Sequence, residues 1–383
     1  MREVVLVAAV RTPIGRRNGL LSVVRADELA AIPLREVVRR AGVEAALVED
    51  VIMGCVSQVG EQAMNVGRVA ALVAGYPIHV PAVTIDRQCG SSQQAVHFAA
   101  QAIMSGDMEV VVAAGVESMS RVPLGASMLN AGISPALCSR YKIVPQGISA
   151  ELIAKQWQLS RDDLDSFSLA SHQRAVHAAA AGRFQTEIVP VEVLQADGTV
   201  KTVTADEGPR PSTSLEKLAS LTPAFQQDGV VTAGNSSQIS DGAAAVLLMS
   251  ASKAKELGVR PRARLVCRVV VGSDPTLMLT GPIPATEMAL ARAGLKMSDI
   301  DVFEVNEAFA SVPLAWARDL GADLAKVNPN GGAIALGHPL GASGARLMAT
   351  MLHELERTGG RFGLQTMCEG YGMANATIIE RLD

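Results

Sequence analysis

Apolar residues fall into short unbroken runs, separated by stretches in which they recur every third or fourth position. The runs at residues 3–10, Val51–Val56, Ala82–Ile85 and Val110–Gly115 have the length of strands, the first an edge or buried strand and the last continuous enough to be buried on both faces. Between the first two, Leu29, Ile32, Val37 and Val38 fall near helical spacing and predict a helix over Ala26–Ala41; Met64–Ala74 predicts a second, and Pro77–Pro81 a loop. After the third run the chain makes a tight polar bend at Cys89-Gly90-Ser91-Ser92. It then continues as a helix through Ala95, Phe98, Ala99 and Ile103 to Gly106. Strands alternating with helices predict a layered α/β fold.

From Ser118 to about Ser240 the texture changes, and Ser, Pro, Gln and charged residues rise. Helices are predicted over Ser149–Trp157 and over Arg161–Ala181, the latter opened by Ser160 with Asp162 and Asp163 in its first turn. Gly208-Pro209-Arg210-Pro211 is a turn cluster. This segment reads as an insertion lying over the core, after which Ala243–Met249 returns to an apolar strand. Residues 261–383 then repeat the opening pattern. Arg264–Val271 corresponds to residues 3–10, Asp301–Val305 to Val51–Val56, and a final strand, Phe362–Met367, to Val110–Gly115. Aligning Asp50 with Asp301 sets Cys55 opposite Asn306 and Cys89 opposite His338. Thirty-four residues separate the first of each pair and thirty-two the second. The chain therefore divides into a first half (1–118 with 241–250), an insertion (119–240) and a second half (251–383). Related halves pack about a pseudo-twofold axis, which would turn the helix openings at Cys89 and His338 toward each other.

The totals narrow the function. A formal charge of −4 without a basic tract argues against nucleic acid as a partner. Five dispersed cysteines, with no C-x-x-C, argue against a disulfide framework and a structural zinc site. The run Val4–Val10 continues into Arg11-Thr12-Pro13 and reads as a strand rather than a secretory leader. No apolar stretch is long enough to span a bilayer. The expectation is a cytoplasmic protein with reduced thiols and no membrane contact.

A cysteine at a helix opening, flanked by small residues, suits a nucleophile whose thiolate is favoured by unpaired backbone N–H groups. The same stretch suits a buried structural cysteine. His338 lies in GGAIALGHPLGASGAR, too rich in glycine and too poor in charge for a plain helix start. It is no Walker A loop, since no Gly-Lys-Ser/Thr follows. Opposite Cys89 it would complete a thiol–imidazole pair. Asn306 and Glu307 stand at the end of a predicted strand, where α/β folds gather their sites. Asn306 suits orientation of a water or polarisation of a carbonyl. Glu307 suits either a buried structural role or service to the pair. Cys368 ends the last predicted strand, as a second thiol suited to proton transfer or as an inert core residue. For the other histidines the ordinary structural reading holds, and His97 is expected in the core.

With those residues in hand, the whole chain resembles the thiolase family. Four motifs in order carry the resemblance: the Cys89 bend, Asn306-Glu307-Ala308-Phe309, Gly337-His338-Pro339 and Cys368-Glu369-Gly370. Thr232-Ala233-Gly234-Asn235-Ser236-Ser237 and Asp241-Gly242-Ala243-Ala244-Ala245 add to it, and the texture is closest to bacterial degradative, actinobacterial-type members. The resemblance implies two βαβαβαββ halves in a five-layered αβαβα core, with a loop domain that holds coenzyme A. It implies attack of Cys89 on the keto carbon of a 3-oxoacyl-CoA and release of acetyl-CoA after Cys368 protonates its enolate. A second CoA thiol, deprotonated by His338 or by Cys89's partners, then takes the acyl group from Cys89; the reverse is Claisen condensation, with Cys368 as the base. His338 and a water on Asn306 would hold the enolate oxygen, and the backbone N–H groups of Cys89 and Gly370 the acyl carbonyl. It further implies Arg210 near the adenine and Ser237 near the pantetheine, with Phe225, Met278 and Phe309 lining the tunnel. CoA and acyl-CoA are then substrates, with no cofactor and no metal, and the assembly is a homodimer or homotetramer.

Two departures stand out. Tyr371 occupies a place where the family usually has glycine, which would narrow the pocket or shift the Gly370 N–H. Pro145-Gln146 stands where acetoacetyl-CoA-specific members carry a His-Met pair, which favours longer or unusual acyl groups. Two other readings compete. One is a carrier-protein-dependent ketosynthase, disfavoured because those enzymes have histidine in place of Cys368. The other is a non-catalytic acyl-CoA-binding protein blocked by Tyr371.

Overall fold

Strand order shows the internal repeat most directly. The computed structural model describes residues 2–195 and 197–382; the outermost boundary residues of the two halves, Met1 and Asp383, lie outside it. Among the described residues ten strands form one hydrogen-bonded array, two sheets joined at a narrow seam, one of the strands being the short Gly15–Arg16 piece beside Ser240–Ser250. From the middle outward, the first half runs Val4–Arg11, Ser240–Ser250, Val110–Ser118, Asp50–Gly54, Ala82–Ile85. The second runs Ala263–Gly272, Met373–Arg381, Phe362–Glu369, Val302–Val305. A single parallel bridge from Phe303 to Val327 stands where the fifth strand would be. In both halves the two inner pairings are antiparallel and the next parallel. The halves touch edge to edge through two residue pairs only, Val5 with Arg264 and Leu6 with Ala263.

Alternation along the strands sorts side chains into layers. In Val4–Arg11, Val4 and Leu6 face inward while Val5 and Val7 face the helices Ala26–Ala41 and Val66–Val73. The inward face meets two buried helices, Ser91–Ser105 and Ser343–Thr358, through Ala95, Ala99, Ile103, Ala345, Met348 and Leu352. Beyond them lies the second sheet, backed by Pro282–Ala293 and Ser311–Leu320. Helix, sheet, paired helices, sheet and helix make five layers, the expected architecture.

The predicted elements are present with shifted ends. The helix at Arg161–Ala180 begins with a full Ser160/Asp163 capping box. Its predecessor runs Gln146–Gln156, starting before the expected Ser149. Phe362–Glu369 is not the final strand, because Met373–Arg381 follows it and pairs on both sides. Its pattern hid it: Asn375 and Thr377 are buried polar residues on the inner face. Thr377 Oγ1 bonds Gln93 Nε2 at 2.7 Å and His97 Nε2 at 2.7 Å, and Asn375 Nδ2 donates to the Gly90 carbonyl at 3.1 Å. His97 is thus a core residue, held neutral by burial, its pKa lowered to about 3. Between the halves, the segment from Met119 to Ile239 carries the two helices above and a hairpin of Val191–Leu194 with Val200–Val203. Its Ala150, Ile153, Leu164 and Phe167 pack over Met278, Phe309 and Cys368.

Candidate active site

The openings of the two buried helices meet. After Ala82–Ile85, Asp86 Oδ1 accepts the Gln88 N–H at 2.6 Å, and Gln88 takes a left-handed conformation (φ +48°). That conformation costs a non-glycine residue on the order of 1 kcal/mol. Ser91 Oγ accepts from the Arg87 N–H at 2.9 Å and donates to the Gln88 carbonyl at 2.6 Å, closing the bend on Cys89. Opposite, Gly344 lies against the Gln93 backbone so closely that a Cβ there would collide with it. Ser92 Oγ accepts the Ala345 N–H at 2.9 Å. Cys89 packs with Leu347 of the second helix, with Leu340 of the His338 bend and with Met367.

The two bends differ in reach. Cys89 precedes its helix by two residues, whereas His338 sits five residues ahead of Ser343, inside the bend rather than at the helix start. The expected symmetry therefore holds for the helices and not for the reactive side chains. A carboxylate absent from the sequence reading fixes the longer bend. Glu117 accepts from the N–H groups of Val56 (2.9 Å), Ser57 (3.0 Å) and Gly341 (2.9 Å) and from Gln62 Nε2 (2.8 Å). Its signal was present: a lone acid closing the apolar run Val110–Val116.

His338 is buried and held by both ring nitrogens. Ser343 Oγ donates to the Pro339 carbonyl at 2.9 Å, so its single proton is committed. The contact of 2.6 Å from His338 Nδ1 must then be an Nδ1–H donation to Ser343. This leaves the Nε2 lone pair facing Asn306 Nδ2 at 3.4 Å. Burial first, and the Arg346 charge second, lower the His338 pKa to about 3. The ring is a neutral base with its acceptor aimed at the site. Asn306 follows Val302–Val305, its N–H bonded to the Thr366 carbonyl at 3.1 Å, and its Oδ1 is buried without a hydrogen-bond partner among the described residues. Glu307 takes the structural role: it accepts from Ser171 Oγ (2.7 Å), Asn328 Nδ2 (2.9 Å) and the Ile334 N–H (3.1 Å).

The thiols qualify one expectation. Burial pushes Cys89 well above the ordinary thiol range, and Cys368 and Glu369 push it further. Burial thus opposes the thiolate that the helix opening favours, and forming it calls for a base to take the proton. Burial likewise raises Cys368 to about 12. Cys368 lies at the end of Phe362–Glu369, packed among Met278, Phe309 and Ile334. Gly370 opens the turn to the next strand and is buried. Tyr371 supplies the left-handed backbone that the missing glycine would have given (φ +64°), with its side chain 44% exposed.

The residues expected at coenzyme A form two groups. Phe225 meets Phe309 edge-on at 5.8 Å between ring centroids, and Phe309, Met278 and Cys368 share one cluster. Ser237 stands beside them, its N–H on the Ala308 carbonyl at 2.9 Å. Arg210 is apart and exposed. Its backbone N–H donates to His172 Nδ1 at 3.2 Å, and it lines a cavity of about 370 Å³ with His172, Val176, His177 and Pro211. Among the described residues, no group of three or more His, Cys, Asp or Glu is placed to hold a metal ion.

Two halves of one topology, with their buried helices interlocked at the openings beneath a helical insertion, define a class. Family models for the thiolase N-terminal and C-terminal domains match residues 4–252 and 259–381. The chain belongs to the thiolase family and is an acyltransferase. It is 51% identical to the steroid 3-ketoacyl-CoA thiolase FadA6 of Mycobacterium tuberculosis, over all of this chain and 95% of that one. It is 47% identical to the 3-ketoacyl-CoA thiolase of Salmonella typhimurium, over the full length of both. Among solved structures, the acetyl-CoA acetyltransferase of Bacillus anthracis superposes with a TM-score of 0.93 at 41% identity, covering 100% of this chain and 99% of that chain. Neither the ketosynthase nor the non-catalytic reading finds support in these likenesses.

Proposed function

We propose that the protein cleaves 3-oxoacyl-CoA with coenzyme A, giving acetyl-CoA and an acyl-CoA shortened by two carbons, through an acyl-Cys89 intermediate. One observation carries the reading: the openings of the two buried helices interlock, with Cys89 packed against Leu340 of the bend that bears His338. His338 Nε2 takes a proton as Cys89 attacks the keto carbon. The Cα–Cβ bond then breaks, and its electron pair goes to the acetyl-CoA enolate. Cys368, a weakly acidic thiol, gives that carbon a proton; the CoA thiol then passes its proton to the Cys368 thiolate as it attacks acyl-Cys89, and the departing Cys89 thiolate recovers its proton from His338. Asn306 and His338 serve the enolate oxygen, and the N–H groups of Cys89 and Gly370 the acyl carbonyl; such donors are each worth about 3 kcal/mol in the transition state.

The division into halves 1–118 with 241–250 and 251–383, with 119–240 as the CoA-binding insertion, belongs to the same proposal. Arg210 then holds the adenine end, Ser237 the pantetheine, and Phe225, Met278 and Phe309 the acyl tunnel. The steroid-thiolase relative and Pro145-Gln146 favour a long or bulky acyl group over acetoacetyl-CoA. A cytoplasmic homodimer or homotetramer completes the picture. The Ala82–Ile85 strand is a sheet edge, with Val83, Ile78 and Met64 exposed around it, an arrangement suited to pairing with a second copy. No helix among the described residues is long and apolar enough to cross a membrane.

The test is CoA-dependent loss of the 3-oxoacyl-CoA–magnesium absorbance across chain lengths, with Cys89→Ala beside the native protein. Acetyl-CoA release that survives in a folded Cys89→Ala variant would reject the nucleophile.

A further inference from the structure

Glu369 is a buried acid that none of these steps uses. Inward-facing positions of its strand are occupied by Gln365 and Met367, which meet Gln93 and Cys89. Glu369 is next in that row, and it lies under the Cys89 bend: a Cβ on Gly90 would collide with its carboxyl group. Its side chain is fully buried and neither oxygen has a hydrogen-bond partner among the described residues. Asn375, on the adjoining strand, gives its amide N–H to the Gly90 carbonyl and keeps Oδ1 unpartnered on the same floor. An ionised carboxylate in such a place is far more costly than a neutral carboxylic acid.

We propose that Glu369 is a positioning residue that must keep its proton for the Cys89 thiolate to form. Transfer of the Cys89 proton to His338 creates a thiolate beside Glu369. A second negative charge there opposes it, while a neutral acid does not. The inference rests on Cys89 being the nucleophile. The groups facing this floor are Asp86, Arg87 and Cys89 on the bend and Cys368 on Glu369's own strand. Glu117 reaches Cys89 from the Val110–Ser118 strand, and the adjoining strand contributes only the uncharged Asn375. Burial, with Asp86 adding and Arg87 subtracting, raises Glu369 to about 8. Ionisation of Glu369 therefore precedes that of Cys89 as pH rises, and it limits the gain in reactivity.

The test follows alkylation of Cys89 by iodoacetamide in the full chain, read by peptide mass spectrometry from about pH 6.5 to about pH 10, in the native protein and in Glu369→Gln. The native rate is expected to bend downward near pH 8 before its final rise. The variant rises without the bend, matching the native protein at the acid end and exceeding it by about tenfold at the alkaline end, one unit of thiol pKa. Parallel profiles at Cys89 overturn the proposal and leave the nucleophile intact; absence of Cys89 alkylation overturns both. If Glu369→Gln does not fold, the native profile decides, since a single unbroken rise excludes the carboxyl.

Discussion

The Cys89 and His338 bends occupy equivalent places in two halves of one topology, yet they are built by different means. The Cys89 bend is short. Gln88 bears the left-handed strain, and serine and aspartate side chains close the turn locally. The His338 bend is long, uses Gly337 (φ +109°) for its reversal, and is tied to the insertion by Gln238 and to the strands of the other half by Ser240 and Glu117. The first bend is thus closed chiefly by local chemistry, with Asn375 reaching Gly90 from the other half, whereas the second leans chiefly on residues outside its own half. Duplicated folds keep the scaffold common and let the bends diverge, which is how two equivalent positions acquire an acid and a base.

Removing the imaginary symmetry at its centre gives the largest effect. His338→Ala is expected to lower kcat for thiolysis by about a thousandfold with little change in thermal midpoint, the scale of a lost general base. A variant with near-native turnover would place the base elsewhere. Stability should then separate the bends. At Gly341 a Cβ meets the backbone of Cys55, Gly54 and Val116, so Gly341→Ala is expected to cost about 2–3 kcal/mol, read as a lower urea midpoint. Ser343→Ala sharpens the tautomer argument: without its acceptor, Nδ1–H is unpaired, and kcat falls about tenfold while KM holds. Acid supplies a fourth comparison. His338 and His97 each bind a proton less readily folded (about 3) than unfolded (6.5). Their contribution to stability is whole above 6.5 and is lost as pH falls toward 3, so urea midpoints should drop across that window. The smallest effect is at the turn beyond Cys368. Tyr371→Gly relieves a left-handed residue and should stabilise by about 1 kcal/mol, with any change in chain-length preference showing how far the ring shapes the pocket.

Much of this was legible beforehand, for definable reasons. Strands buried on both faces announce themselves as apolar runs, so Val4–Arg11 and Val110–Ser118 were readable, and their recurrence exposed the repeat. Met373–Arg381 was not, because its inward positions carry polar residues whose partners lie on another helix. The site was readable where chemistry clusters in sequence, at Cys89, Asn306, His338 and Cys368. It was opaque where a residue works through distant backbone, as Glu117 and Ser343 do. The cost of burial at Cys89 was not legible, because a helix opening is a local feature, whereas desolvation depends on everything packed around the sulfur.

The narrow seam between the sheets, two residue pairs wide, carries a mechanical consequence. With so little edge pairing to fix their angle, the two sheets take their mutual orientation from the helix pair clamped between them. Any substitution that thickens that clamp, even far along Ser343–Thr358, would swing the imidazole relative to the sulfur, so turnover should be sensitive to packing changes well removed from the substrate.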